Sequence, residues 1–137
     1  MRAILFLLLF CWTIAGCVTP KEQLLHMDSS QVKLRSIQTR AFDTTDKEKT
    51  LRTIIATLQD LGFVMDKADS TLGTITGTKL NQYELRMTVT VRPRGETQTL
   101  VRANAQYELT AVEDPKPYQD FFTALEKAMF LTAHEAD

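Results

Sequence analysis

A chain of 137 residues, 44% apolar and 24% charged, is long enough to bury one core and too short to expect two. Its formal net charge of −1 removes the electrostatic basis for binding a nucleic-acid backbone, so no nucleic-acid partner is expected. Both cysteines, Cys11 and Cys17, stand near the start, which leaves the rest of the chain without a disulfide, a catalytic thiolate or a thiolate metal site.

In chain order, Arg2 precedes an apolar run from Ile4 to Ala15. A bilayer-spanning helix needs about 20 apolar residues. The run is too short for that, and a positive charge before a short apolar stretch is the layout of a secretory signal. It ends in Ile14-Ala15-Gly16-Cys17, which resembles the lipobox of bacterial lipoproteins: an aliphatic residue, two small residues, then a cysteine. The resemblance implies cleavage before Cys17, diacylation of its sulfur and acylation of its new amine. Residues 1–16 are then a signal peptide and residues 17–31 a lipidated cysteine with a flexible tether. Each buried CH₂ of an acyl chain contributes about 0.8 kcal/mol to membrane binding, so several chains anchor the protein to a membrane without threading it through. Val18 stands where lipoproteins kept in the inner membrane of many Gram-negative bacteria carry Asp, so the expected location is the periplasmic face of the outer membrane. The tether, Val18 to about Gln31, has Pro20 and a polar Asp28-Ser29-Ser30 patch but no sustained period.

Residues 32–137 read as a single α+β periplasmic domain. From Val32 to Phe42 apolar and polar residues alternate with a phase slip near Arg35-Ser36, which predicts a first strand carrying a bulge. Thr45-Asp46-Lys47-Glu48 matches a capping box and opens a helix. Leu51, Ile54, Ile55, Leu58 and Leu61 form its apolar stripe, and Gly62 ends it, with Phe63 folding back on the stripe. Two short strands flank the turn Asp69-Ser70-Thr71-Leu72. Two longer ones follow, joined by Pro93-Arg94-Gly95-Glu96. In the first, Tyr83, Leu85, Met87, Val89 and Val91 alternate with polar residues; in the second, Val101, Ala103, Ala105, Tyr107 and Leu109 do. Such alternation means one buried and one wet face in an antiparallel sheet. Pro115 and Pro117 open a terminal helix lined on one side by Tyr118, Phe121, Phe122, Leu125, Ala128 and Met129. The predicted fold is a two-layer sandwich, order β-α-β-β-β-β-α, with two helices drying one face of the antiparallel sheet.

That order, with Leu58-Gln59-Asp60-Leu61-Gly62-Phe63, Leu72-Gly73 and Thr78-Lys79, resembles small periplasmic lipoprotein domains of the helix-grip type, such as the lipoprotein C subunit of the outer-membrane β-barrel assembly machinery. The resemblance covers about Val32 to Leu131 and is one of topology and texture. This chain has one such domain where that subunit has two.

The residue inventory points away from catalysis. His26 in the tether and His134 near the end are the only histidines, so neither a histidine-based triad nor a zinc site is expected. The carboxylate pairs Asp66/Asp69 and Asp43/Asp46 sit at turns and a helix start, where Asp serves local hydrogen bonding. Gly73 and Gly77 match no phosphate-binding pattern. Met65, Met87 and Met129 read as core filling. No metal or cofactor is expected. What remains is the wet sheet face, where Arg86, Arg92 and Arg102 stand with Thr88, Thr90, Asn104 and Gln106, a surface suited to a polar or acidic partner. The expected role is a non-enzymatic, lipid-anchored accessory or scaffold subunit of a cell-envelope assembly, held to the membrane through Cys17 and acting on a protein partner. The alternative is a carrier holding a lipid or other apolar ligand between terminal helix and sheet, lined by Tyr83, Tyr107, Phe121 and Phe122.

Overall fold

The computed structural model describes residues 30–81 and 83–134, with side chains through Phe130. The chain divides into two compact units, residues 1–32 and 33–137, and the architecture that follows is that of the second. Cys17 and nearly all of the tether lie outside the described residues.

Residues 30–38 are helical (α1). They are followed by β1 (Thr39–Phe42), α2 (Lys47–Asp60), β2 (Val64–Asp69), β3 (Thr74–Leu80), β4 (Glu84–Arg94), β5 (Gln98–Tyr107), β6 (Thr110–Ala111) and α3 (Lys116–His134). All strands join one antiparallel sheet ordered β1-β5-β4-β3-β2, with β6 pairing β5. The fold is α+β as expected, with α1 and β6 added to the predicted order. Helix α2 carries the chain from one sheet edge to the other, and β2 to β5 then run as a meander.

The strand expected from Val32 is mostly helix, and strand geometry begins only at Thr39. Leu34 and Ile37, three residues apart, both pack against the core, an interval that one helix face satisfies. The apparent phase slip at Arg35-Ser36 is therefore helical periodicity. Ser36 Oγ donates to the Lys33 carbonyl at 2.6 Å and Arg40 Nη1 to the Ser36 carbonyl at 3.0 Å, which satisfies groups at the helix end.

Helix α2 starts one residue later than the capping box implied. Asp46 is the cap, its carboxylate accepting from the Lys49 N–H at 2.9 Å. The far end closes as anticipated. Gly62 takes φ +87°, its N–H reaches the Gln59 carbonyl, and the Phe63 N–H reaches the Leu58 carbonyl, both at 2.9 Å, completing a Schellman motif. The buried stripe holds Leu51, Ile54 and Leu58 but also Thr50, Thr53 and Thr57. Each of these hydroxyls donates to a carbonyl four residues back, at 2.8–2.9 Å. A threonine with its hydroxyl satisfied inside its own helix presents a methyl group to the core.

On the inner sheet face Met87, Val89 and Val91 of β4 lie opposite Ala105, Ala103 and Val101 of β5, all buried. Phe121, Phe122 and Leu125 of α3 fill the space above them, with Phe121 and Phe122 edge-to-face at 5.0 Å between centroids. Tyr118 seals the β5 edge where β1 ends. Its hydroxyl donates to the Val112 carbonyl at 2.7 Å and accepts from the Ala105 N–H and from Gln38 Nε2, each at 3.2 Å. One phenol thus ties the end of α1, β5 and the segment before α3 together.

Candidate functional site

The register of β3, β4 and β5 builds the outer face row by row: Thr74–Thr90–Arg102, Thr76–Thr88–Asn104, Thr78–Arg86–Gln106. Lys67 and Asp69 of β2 extend the first two rows. The buried side chains of α2 and α3 form one core with the inner-face residues of β3, β4 and β5, while Gln38 at the end of α1 borders the outer face. Among the described residues the outer face is therefore a polar surface five strands wide, centred on five threonines, with Thr76 and Thr88 hydroxyls 3.3 Å apart.

Arg86, Arg92 and Arg102 all lie exposed on this face, but they do not form one cluster. Arg86 pairs with Glu84 of its own strand at 3.0 Å. Arg102 lies opposite Thr90 and Arg92 opposite Leu100, which makes the two arginines diagonal neighbours; such positions are about 7–8 Å apart at Cα. Arg102 reaches Gln38 Oε1 at 3.5 Å, and among the described residues neither Arg92 nor Arg102 is in an ion pair. Two further cations belong to the face, Arg94 and Lys67. Arg94 continues the alternation two residues beyond Arg92 and was hidden by its assignment to the turn; β4 runs through it to pair with Gln98. The face therefore carries Lys67, Arg86, Arg92, Arg94 and Arg102 against Asp66, Asp69 and Glu84.

The other sequence candidates go to local structure. Asp66 accepts from the Thr78 hydroxyl at 2.6 Å, Asp69 from the Leu72 N–H at 2.9 Å, and Asp43 from Gln98 Nε2 at 2.6 Å, while Asp46 caps α2. Gly73 has φ +70°, and a Cβ there would meet the Val91 carbonyl oxygen at 2.6 Å, so this turn admits only glycine. Met87 is buried; Met65 and Met129 are partly so. His26 lies outside the described residues, as does the side chain of His134.

Of the four residues expected to line a cavity between terminal helix and sheet, Tyr83 and Tyr107 border a groove there, whereas Phe121 and Phe122 do not. Phe121 and Phe122 are core, 0% and 2% exposed. Tyr83 and Leu109, expected on the buried face, are 71% and 93% exposed, because β4 begins only at Glu84 and β5 stops at Tyr107, so both lie past the reach of the helix layer. The groove, of about 360 Å³, opens at that end of the sheet, against the first turn of α3. Phe63, Leu85 and Met87 line it, Tyr83 and Tyr107 meet edge-to-face across 6.3 Å at its side, and the first turn of α3 closes it. At its mouth Lys116 pairs with Asp120 at 2.7 Å. The carboxylate holds the exposed Lys116 amine above its ordinary pKa of 10.5, by hydrogen bond first and by charge second. Lys79 Nζ stands 5.9 Å from the Phe63 ring centroid.

No known family model matches the chain, and no curated protein matches it. The functional reading therefore rests on the residues and their geometry.

Proposed function

We propose that this protein is a lipid-anchored periplasmic accessory or scaffold subunit of a cell-envelope assembly, held to the outer membrane through Cys17 and acting by protein–protein contact, without catalysis. The observation that carries the reading is the outer sheet face: an array of threonine hydroxyls with the guanidiniums of Arg92, Arg94 and Arg102 along one side, none of them in an ion pair among the described residues. Arginine forks bind carboxylates with directional hydrogen bonds, and threonine rows offer donors and acceptors at strand spacing, so the face suits an acidic, hydrogen-bonding protein surface. The lipobox at Ile14-Ala15-Gly16-Cys17 supports the anchoring.

The test has two arms in the native host. Cys17→Ser should release the chain from the membrane or leave it unprocessed; a cleaved, membrane-bound Cys17→Ser protein overturns the anchoring. Arg86→Gln/Arg92→Gln/Arg102→Gln should leave the chain folded and anchored while abolishing partner crosslinks. Unchanged crosslinks and full complementation of a deletion strain overturn the outer face as the contact. A second reading, an apolar ligand carrier, is favoured by the groove at the Tyr83–Tyr107 end. Native mass spectrometry of the intact protein showing a stoichiometric bound lipid would select it.

A further inference from the structure

The groove at the Tyr83–Tyr107 end joins an apolar interior to a charged lining. Buried Phe63 and Met87 and half-buried Leu85 supply the apolar part. The charged lining is balanced, Lys79 and Lys116 standing with Asp114 and Asp120. A balanced lining selects a ligand by where its charges lie, not by their sum.

Those four charges sort by wall. At the first turn of α3, Lys116 Nζ is 2.7 Å from Asp120 Oδ2, and Asp114 Oδ1 accepts from the Lys116 N–H at 2.9 Å. On β3, Lys79 is half-buried with its Nζ 5.9 Å from the Phe63 ring centroid, and among the described residues it is in no ion pair. Once the Lys116–Asp120 pair is set aside, one cation and one carboxylate remain, Lys79 and Asp114, on different walls of one groove. An uncharged ligand lying over Lys79 would strip water from its ammonium and offer nothing in return, which costs free energy. An anion alone would serve Lys79 and leave Asp114 facing a like charge; a cation alone would do the reverse. A head group carrying both signs serves both.

Size and aromatic placement describe the rest of the ligand. About 360 Å³ is near the lower end of the range for small-molecule sites, room for one acyl chain but not two. Tyr83 and Tyr107 meet edge-to-face at the side of the groove, and both are exposed. A phenol with an apolar body and a wet tip suits the boundary between a lipid's chain and its head.

We infer that the groove binds a single-chain zwitterionic lipid, its acyl chain over Phe63, Leu85 and Met87, its anionic group at Lys79 and its cationic group at Asp114. This rests on the second reading above, that the groove holds an apolar ligand, and names the head group that the groove selects.

The test uses full-length protein purified from host membranes and placed in phosphatidylglycerol nanodiscs, which contain no zwitterionic lipid. The probe is lysophosphatidylethanolamine with a diazirine in its acyl chain, and adducts are mapped by mass spectrometry. They should fall on Phe63, Tyr83, Leu85, Met87 or Tyr107. Unlabelled lysophosphatidylethanolamine should compete about tenfold better than palmitate, hexadecyltrimethylammonium or phenylalanine, the worth of one well-placed charge contact. Lys79→Gln/Asp114→Asn should keep the adduct sites and the thermal midpoint but erase that advantage; Asn preserves a side-chain acceptor for the Lys116 N–H. Arg86→Gln/Arg92→Gln/Arg102→Gln should change neither, which separates the groove from the outer face. Groove adducts competed equally well by palmitate or by the cationic amphiphile, or an advantage that survives the charge changes, overturn the head-group selection and leave an unselective apolar carrier. Stronger competition by phenylalanine overturns the lipid. The absence of groove adducts overturns the carrier reading together with the inference.

Discussion

The two faces of the β4–β5 hairpin share one backbone and one register yet do opposite things. Residue by residue, Met87, Val89 and Val91 point into the core while Arg86, Thr88, Thr90 and Arg92 point out of it. The inner face exchanges water for helix side chains and supplies stability. The outer face keeps its water and is free to meet something else. A strand's period of two forces this division, because burying one face leaves its neighbours no choice but the other. What separates the faces experimentally is that damage to one should appear in folding and damage to the other in binding.

The largest effect is expected where α2 meets the inner face. Leu58→Ala removes a fully buried side chain and should cost about 2–5 kcal/mol, read as a drop in the denaturant midpoint with an unchanged slope. An unchanged midpoint would mean that the inner layer does not carry the fold. Next comes Tyr118→Phe, which keeps the ring but strands the Ala105 N–H and Gln38 Nε2 donors without their acceptor. A buried donor left unmade costs about 1–3 kcal/mol, and hydrogen exchange at the Ala105 amide should quicken in step; protection equal to the parent protein would place the seal of the β5 edge elsewhere.

Smaller still is the cost of Arg86→Gln/Arg92→Gln/Arg102→Gln. Exposed single changes usually move stability by no more than about 0.5 kcal/mol each, so thermal melting should hardly shift while the partner crosslinks vanish. A large loss of stability would show that the outer face is part of the folding machinery and blur the comparison. The smallest effect belongs to Lys116. Its amine is more basic in the folded chain, so the Asp120 pair contributes below the ordinary lysine pKa of 10.5 and is lost as pH rises through the raised value. In a melting series, Asp120→Asn should remove a small stabilisation near neutrality and should match the parent protein once the lysine has titrated. A difference that persists at the alkaline end would trace to something other than this pair.

Some of the architecture is local enough to be legible without coordinates. The Gly62 stop of α2, the stripe of Leu51, Ile54 and Leu58, and the alternation of β4 and β5 each follow from backbone geometry acting over a few residues, and α+β class follows from having to cover one apolar sheet face with amphipathic helices. The co-facial placement of Arg86, Arg92 and Arg102 is part of the same alternation. The N-terminal segment was not legible in this way, because Leu34 and Ile37 read as strand or helix equally well over so short a stretch, and packing against the core decided for helix. Tertiary structure alone also decided where alternation stops mattering. Tyr83 and Leu109 continue the apolar pattern of their strands, yet the helix layer ends before it reaches them, and burial depends on what lies opposite a residue as much as on what the residue is. For the same reason no periodicity could show that α3 would fill its cavity with Phe121 and Phe122 and leave a groove at the sheet's end, since a groove is the space between elements and belongs to none of their sequences.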